Sequence, residues 1–114
     1  MATDSSLLDL SKHLVTHDIT TASAETITVL AVGTGQKFHV HGLYLRANGA
    51  TTVTFLSEAA GLSGAITMAD TETILLPTSG VPYLSAVTAA DDFKITNGAG
   101  VQISGWAQIA LERT

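Results

Sequence analysis

Along most of this chain, hydrophobic and polar residues alternate in short runs. From Glu25 onward, segments rich in Val, Ile, Thr and Phe are broken by Gly, Asn, Asp and Ser at intervals of roughly ten residues. This rhythm predicts strands over 25–32, 36–47, 51–58, 64–69, 72–77, 83–88, 92–97 and 101–112, the content of an all-β antiparallel sandwich of about eight strands. The last strand carries the clearest alternation. Val101, Ile103, Gly105, Ala107, Ile109 and Leu111 share one face, and Gln102, Ser104, Trp106, Gln108, Ala110 and Glu112 share the other. The first set is assigned to the core. Trp106 then stands on the polar face, either covered by a long loop or set against another chain. In 36–47 the apolar phase starts with Phe38 and Val40 and resumes with Leu43 and Leu45. The slip falls at His41-Gly42 and marks either a β-bulge or a strand covered on both faces.

The breaks between these runs have their own chemistry. Asn48-Gly49 and Asn97-Gly98 are suited to the positive φ angles of tight hairpin loops, and Gly33-Thr34-Gly35 offers a third break. Strands 36–47 and 51–58 are accordingly expected to be hairpin neighbours. Pro77 and Pro82 bracket a segment that cannot extend a central ladder and is expected to be a loop. Residues 1–24 differ from the rest, with Leu7, Leu8, Leu10, Leu14 and Val15 among Ser, Thr and Asp. They are assigned to an N-terminal arm, either a short amphipathic helix capped by Asp4 or an extended segment lying across a neighbouring subunit. The expected division is thus an arm over 1–24 and a sandwich domain over 25–114.

Composition narrows the function. The 114 residues contain no cysteine, so disulfides and thiolate metal sites are excluded and the fold rests on packing and backbone pairing. Five Lys and Arg stand against ten Asp and Glu, a net charge of -5, and the five cations form no cluster. Nucleic acid is therefore not expected as a direct partner. Charged residues make up 13% of the chain, about half the usual share, and mean hydropathy is +0.35. So few charges imply that part of the surface is covered by copies of the chain or by a partner. Apolar runs such as Val29 to Val32 are far too short to span a bilayer, and no membrane partner is expected. Asp4 and Asp9 stand where an export signal would carry cations, so none is expected.

Candidate chemistry is sparse. His39 and His41 are two apart and would point the same way on a strand, while His13 and His17 would share a helical face. Each pair offers two metal ligands, but no acid stands at a supporting spacing, and ordinary surface or interface histidines are the simpler assignment. Asp70 and Glu72, with Asp91 and Asp92, would bind calcium only if the fold brought them together. Otherwise they are solvated or hold their own loop backbone. Gly61-Leu62-Ser63-Gly64 lacks nucleophile-elbow spacing, Gly33-Thr34-Gly35 lacks the third glycine of a dinucleotide loop, and no phosphate loop occurs. No catalytic residue, cofactor or resident metal is assigned, and enzymatic activity is not expected.

One longer pattern remains. Thr26-Ile27-Thr28-Val29-Leu30-Ala31-Val32 is followed by Gly33-Thr34-Gly35-Gln36-Lys37-Phe38-His39-Val40-His41-Gly42-Leu43-Tyr44-Leu45-Arg46-Ala47, then by Thr51-Thr52-Val53-Thr54-Phe55-Leu56-Ser57. An opening strand, a glycine turn, a basic residue, a long apolar strand and a Thr/Val strand in this order resemble the small β-sandwich proteins of tailed phages, including capsid decoration or cement proteins. Leu75-Leu76-Pro77 and the closing strand around Trp106 agree with that pattern, and the similarity spans about residues 25 to 112. The resemblance implies a jelly-roll-like homotrimer on the outside of a phage capsid, made in the host cytoplasm and clamping major capsid protein subunits. Leu7, Leu8, Leu10, Leu14, Trp106, His39 and His41 are the expected contact residues. The alternatives are a minor virion part of the neck, tail or fibre, and a carbohydrate-binding module in which Tyr44, Tyr83 and Trp106 converge on one surface.

Overall fold

A computed structural model describes residues 14–113, and no helix occurs among them. The strands are β1 (Val15–Thr21), β2 (Glu25–Leu30), β3 (Gln36–Ala47), β4 (Thr51–Ser57), β5 (Ala60–Gly61), β6 (Ile66–Met68), β7 (Thr73–Leu76), β8 (Leu84–Ser85), β9 (Phe93–Asn97) and β10 (Ile103–Arg113). One sheet has the order β1-β10-β3-β7, with β8 also on β3; the other has β2-β9-β4-β5, with β6 also on β4. Every pairing is antiparallel. The pairs nest: β1 with β10, β2 with β9, β3 with β7 and β8, β4 with β5 and β6. A long antiparallel ribbon rolled until β10 meets β3 and β9 meets β4 produces this order, and it defines a jelly-roll sandwich.

Rolling the ribbon explains why the expected β3–β4 hairpin is absent. β3 and β4 belong to different sheets, and Asn48–Ala50 carry the chain across the end of the sandwich. Asn97-Gly98 begins a second crossing, from β9 to β10. Close approach rather than hairpin geometry demands glycine at both corners. A Cβ on Gly49 would stand 2.7 Å from Val101 Cγ1, and one on Gly98 would collide with the Thr52 hydroxyl. Gly35 and Gly49 both have the expected positive φ, at 79° and 157°.

The expected arm is corrected as well. Val15–Thr21 is a strand, pairing residue for residue with β10 from Val15 opposite Ile109 to Thr21 opposite Ile103. The sandwich therefore includes part of 1–24, and the helical assignment fails over this stretch. Val15, Thr16, Ile19, Thr20 and Thr21 are β-branched, and Ile19 and Thr21 are buried where Thr16, Asp18 and Thr20 are exposed. Leu7, Leu8, Leu10 and His13 lie outside the described residues, while Leu14 is half-buried just before β1.

The core lies between the sheets. Phe38, Val40, Leu43, Leu45 and Ala47 of β3 face Val53, Phe55, Phe93 and Ile95 of the second sheet, with Ile103, Ala107 and Ile109 beside them. Phe93 is the aromatic centre, its ring centroid 5.2 Å from that of Phe38 and 6.3 Å from that of Phe55. Each such large side chain contributes about 1.5–3 kcal/mol by leaving water. The phase slip in β3 is a bulge: Val40 pairs with Ile109 and Gly42 with Gln108, leaving His41 unpaired between them. At one end a buried amide joins the sheets. Asn97, 1% exposed, accepts a hydrogen bond from Thr51 Oγ1 at 2.7 Å and donates to Val101 O at 2.9 Å and Ser23 O at 3.2 Å.

Candidate functional site

Paired residues in neighbouring strands share a face, so the register fixes what the first sheet shows to solvent. Asp18 of β1 is opposite Trp106 of β10, Trp106 opposite Tyr44 of β3, and Tyr44 opposite Leu75 of β7. These four form one row across the sheet. Tyr44 and Trp106 stack, with centroids 6.1 Å apart and planes inclined by 30°. Leu75 is 59% exposed. The flanking row is Thr20, Ser104, Arg46 and Thr73; on the other side stand Thr16, Gln108 and Gly42. An aromatic and aliphatic strip thus lies between polar rows, the arrangement that desolvates well against a complementary surface. Placement of Trp106 on the polar face agrees with the alternation read from the sequence. The tryptophan is half-buried by its own sheet neighbours.

The loop from Pro77 to Tyr83 closes over the next part of this face. Ser79 N donates to His41 O at 2.9 Å and Tyr83 N to Val40 O at 2.8 Å. Thr78 Oγ1 donates to the Gln108 side chain, and the Tyr83 hydroxyl to Pro77 O at 2.7 Å. These bonds fall beyond the Trp106 row, so the loop leaves the strip open. Val81 at its tip is 73% exposed. Tyr44 and Trp106 stack on each other, and no ring contact joins Tyr83 to either among the described residues.

His41 is enclosed by the same loop, 4% exposed, with its Nδ1 donating to Ser79 O at 2.9 Å. It is engaged within its own chain, which leaves it little surface to offer another subunit. His39 remains a neighbour, with ring centroids 6.5 Å apart. Its Nε2 donates to Glu112 Oε1 at 2.6 Å, and its Nδ1 is hydrogen-bonded with the Ser85 hydroxyl at 2.8 Å. Glu112 was not foreseeable as a partner, because only the β3–β10 register, with Glu112 opposite Lys37, places it diagonal to His39. A serine, a histidine and a carboxylate in a chain satisfy part of the geometry of nucleophilic catalysis. The Glu112 side chain is 59% exposed, however, so water competes at its link to His39, while the His39–Ser85 link is partly buried. The trio reads as a surface network that fixes β8 against β3. His17, expected on a helix, stands in β1.

The acidic pairs are separated by the fold. The Asp70–Glu72 turn bonds to Ala47 at the end of β3, whereas the loop carrying Asp91 is held by Ala90 N donating to Gln36 O at its start. Each pair holds backbone instead. Glu72 accepts from Ala69 N, Asp92 from Val32 N, and Asp91 from Thr88 N and the buried Ser57 hydroxyl. Among the described residues no three potential ligands are gathered for a metal ion. Glu58 completes the Asp92 cluster: its carboxylate accepts Asp92 N at 2.9 Å and meets Lys94 Nζ at 3.2 Å. The backbone donor first, then the ammonium, holds its pKa below the ordinary 4.5.

Strand order and faces define an all-β jelly-roll sandwich with an apolar strip on one outer face. No protein-family model matches the chain, and no curated protein matches it in sequence. Among solved structures, it is similar to the coat protein of Tobacco streak virus at 11% identity and a TM-score of 0.41, over 87% of this chain and 88% of that one. It is similar also to the disulfide-linked pilus protein of Bacillus endospore appendages, at 19% identity and a TM-score of 0.39, over 88% of each chain.

Proposed function

We propose that this chain is a structural virion protein, and within that class a decoration protein that binds the outside of a bacteriophage capsid and clamps its major capsid subunits as a homotrimer. The observation that carries this reading is the outward row of Trp106, Tyr44 and Leu75. It belongs to a chain with only 13% charged residues, too few to account for a wholly solvated surface. A rigid jelly roll with such a strip suits adhesion by buried apolar area, whereas catalysis would need a sheltered cleft. In this reading Leu7, Leu8 and Leu10 add contacts from the N-terminal side, and His39 lies at the margin of the interface.

The test is quantitative mass spectrometry of sedimented virus-sized particles from the source culture. Decoration requires this chain in numbers comparable to the most abundant shell protein. A small fraction of that number assigns it to a neck, tail or fibre instead, and absence from particles refutes the virion reading altogether.

A further inference from the structure

The dipeptide Asn-Gly occurs twice, at Asn48-Gly49 and Asn97-Gly98, and the fold treats the two amides in opposite ways. We propose that Asn48 is a site of spontaneous deamidation, yielding aspartate and isoaspartate at the β3–β4 corner, and that Asn97 is protected from the same reaction. This inference is independent of the virion reading.

The chemistry needs no cofactor. The backbone nitrogen of the following residue loses its proton and attacks the side-chain Cγ of asparagine. The new C–N bond closes a succinimide, and the amide nitrogen leaves as ammonia. Water then opens the ring at either carbonyl, giving aspartate or isoaspartate and one added negative charge. Glycine in the following position favours the step because it has no Cβ to obstruct the approach. Two conditions remain for the surroundings to meet: the side chain must be free to swing, and the attacking nitrogen must not be committed to a hydrogen bond.

Asn48 meets both. It is exposed in the bend after β3, and its side chain makes no hydrogen bond among the described residues. The attacking nitrogen, that of Gly49, lies between the end of β3 at Ala47 and the start of β4 at Thr51 and donates to no described acceptor. Asn97 meets neither. Its side chain is 1% exposed and tied to Thr51, Val101 and Ser23. The Gly98 nitrogen donates to Thr52 O at 2.8 Å. Attack at Asn97 therefore requires breaking four interactions first, which at the usual worth of a hydrogen bond slows it by on the order of a hundredfold or more.

The full chain is incubated in warm, mildly alkaline buffer, folded or in concentrated urea, and both sites are followed by peptide mass spectrometry with chromatographic separation of isoaspartate. In the folded sample Asn48 converts on the order of a hundredfold faster than Asn97, and in urea the two converge. Comparable rates in the folded protein overturn the proposal. So does an Asn48 that stays intact when folded but converts in urea. The Asn48→Ser variant, which touches none of the described side-chain bonds, removes the acidic species that isoelectric focusing of the aged protein reveals; persistence of that species also overturns the assignment.

Discussion

Replacing Asn97 by alanine tests whether the end of the sandwich is held by one buried amide. Asn97→Ala removes three hydrogen bonds, to Thr51, Val101 and Ser23. At about 1 kcal/mol each they sum to about 3 kcal/mol, with the longer Ser23 bond counting for less and the Thr51 hydroxyl left with its 3.3 Å bond to Thr52 O. The expected loss is about 2–4 kcal/mol, which in a domain of this size lowers Tm by roughly 10–25 °C. Urea unfolding followed by circular dichroism and by the single tryptophan should show a lower midpoint at unchanged slope. Asn97→Asp sharpens the test. It keeps an acceptor for Thr51, loses both donated bonds and places a charge where the residue is 1% exposed. At neutral pH it is at least as destabilising as alanine, and its deficit shrinks as the pH falls and the new carboxyl gains a proton. A loss below about 1 kcal/mol for Asn97→Ala would mean that water takes over all three roles, and the clamp would be refuted.

Gly105→Ala should cost at least about 1–3 kcal/mol in chemical denaturation, because its Cβ would lie 2.7 Å from the Tyr44 carbonyl carbon and nearer still to the oxygen, forcing β10 away from β3. Trp106→Ala should weaken association with particles while lowering Tm only slightly, since the ring is half-buried on an outer face; a large fall in Tm with assembly intact would reverse its assignment. Glu58 has a depressed folded pKa, so its contribution is present above 4.5 and is lost as the pH falls through the folded value. Glu58→Gln is therefore less stable than the parent at neutral pH, with the gap closing in acid; a gap that widens in acid contradicts the Asp92 and Lys94 contacts. Removing residues 1–13 leaves every described strand pairing in place and should preserve the fold, whereas removal through Thr21 deletes β1, exposes the edge of β10 and should leave insoluble chain.

What the sequence disclosed followed the range of the forces involved. The extent of β3 was legible from its flanking glycines, and the faces of β10 from simple alternation as far as Ile109, because both are local consequences of a period of two; beyond it the expectation fails, since Leu111, assigned to the core, is 41% exposed and Ala110 is buried. The bulge was legible from the phase slip at His41-Gly42. Which sheet each strand joins was not, because Asn-Gly serves a hairpin and a sheet-crossing corner equally well, and only the packing of Val101 on Gly49 and Thr52 on Gly98 distinguishes them. β1 was missed for a related reason: the upstream leucines suggested a helix, while the pairing that makes Val15–Thr21 a strand comes from residues more than eighty positions away. Of the site, Trp106 was legible by face. Its companions Tyr44, Leu75 and Asp18 were not, since they meet it only through register.

The two flanks of the sandwich treat their edges differently, and this bears on where association can be separated from folding. On one flank the edge strands are short, with two to four residues in β5, β6, β7 and β8, interrupted by Leu62–Ala65 and by the Pro77–Tyr83 loop. Such interruption blunts an edge against pairing with other chains. On the other flank β1 and β2 run for seven and six residues and contain neither proline nor lysine, with one register slip in β2 between Thr28 and Leu30. The apolar row reaches this flank too, since Asp18 of β1 is its end member. β1 thus borders both the open edge and the exposed strip while holding Ile19 in the core. Any change that removes the strand will unfold the domain before it reports on assembly. Trp106 and Leu75, whose side chains point away from the core, are the positions at which the adhesive role can be tested with the fold intact.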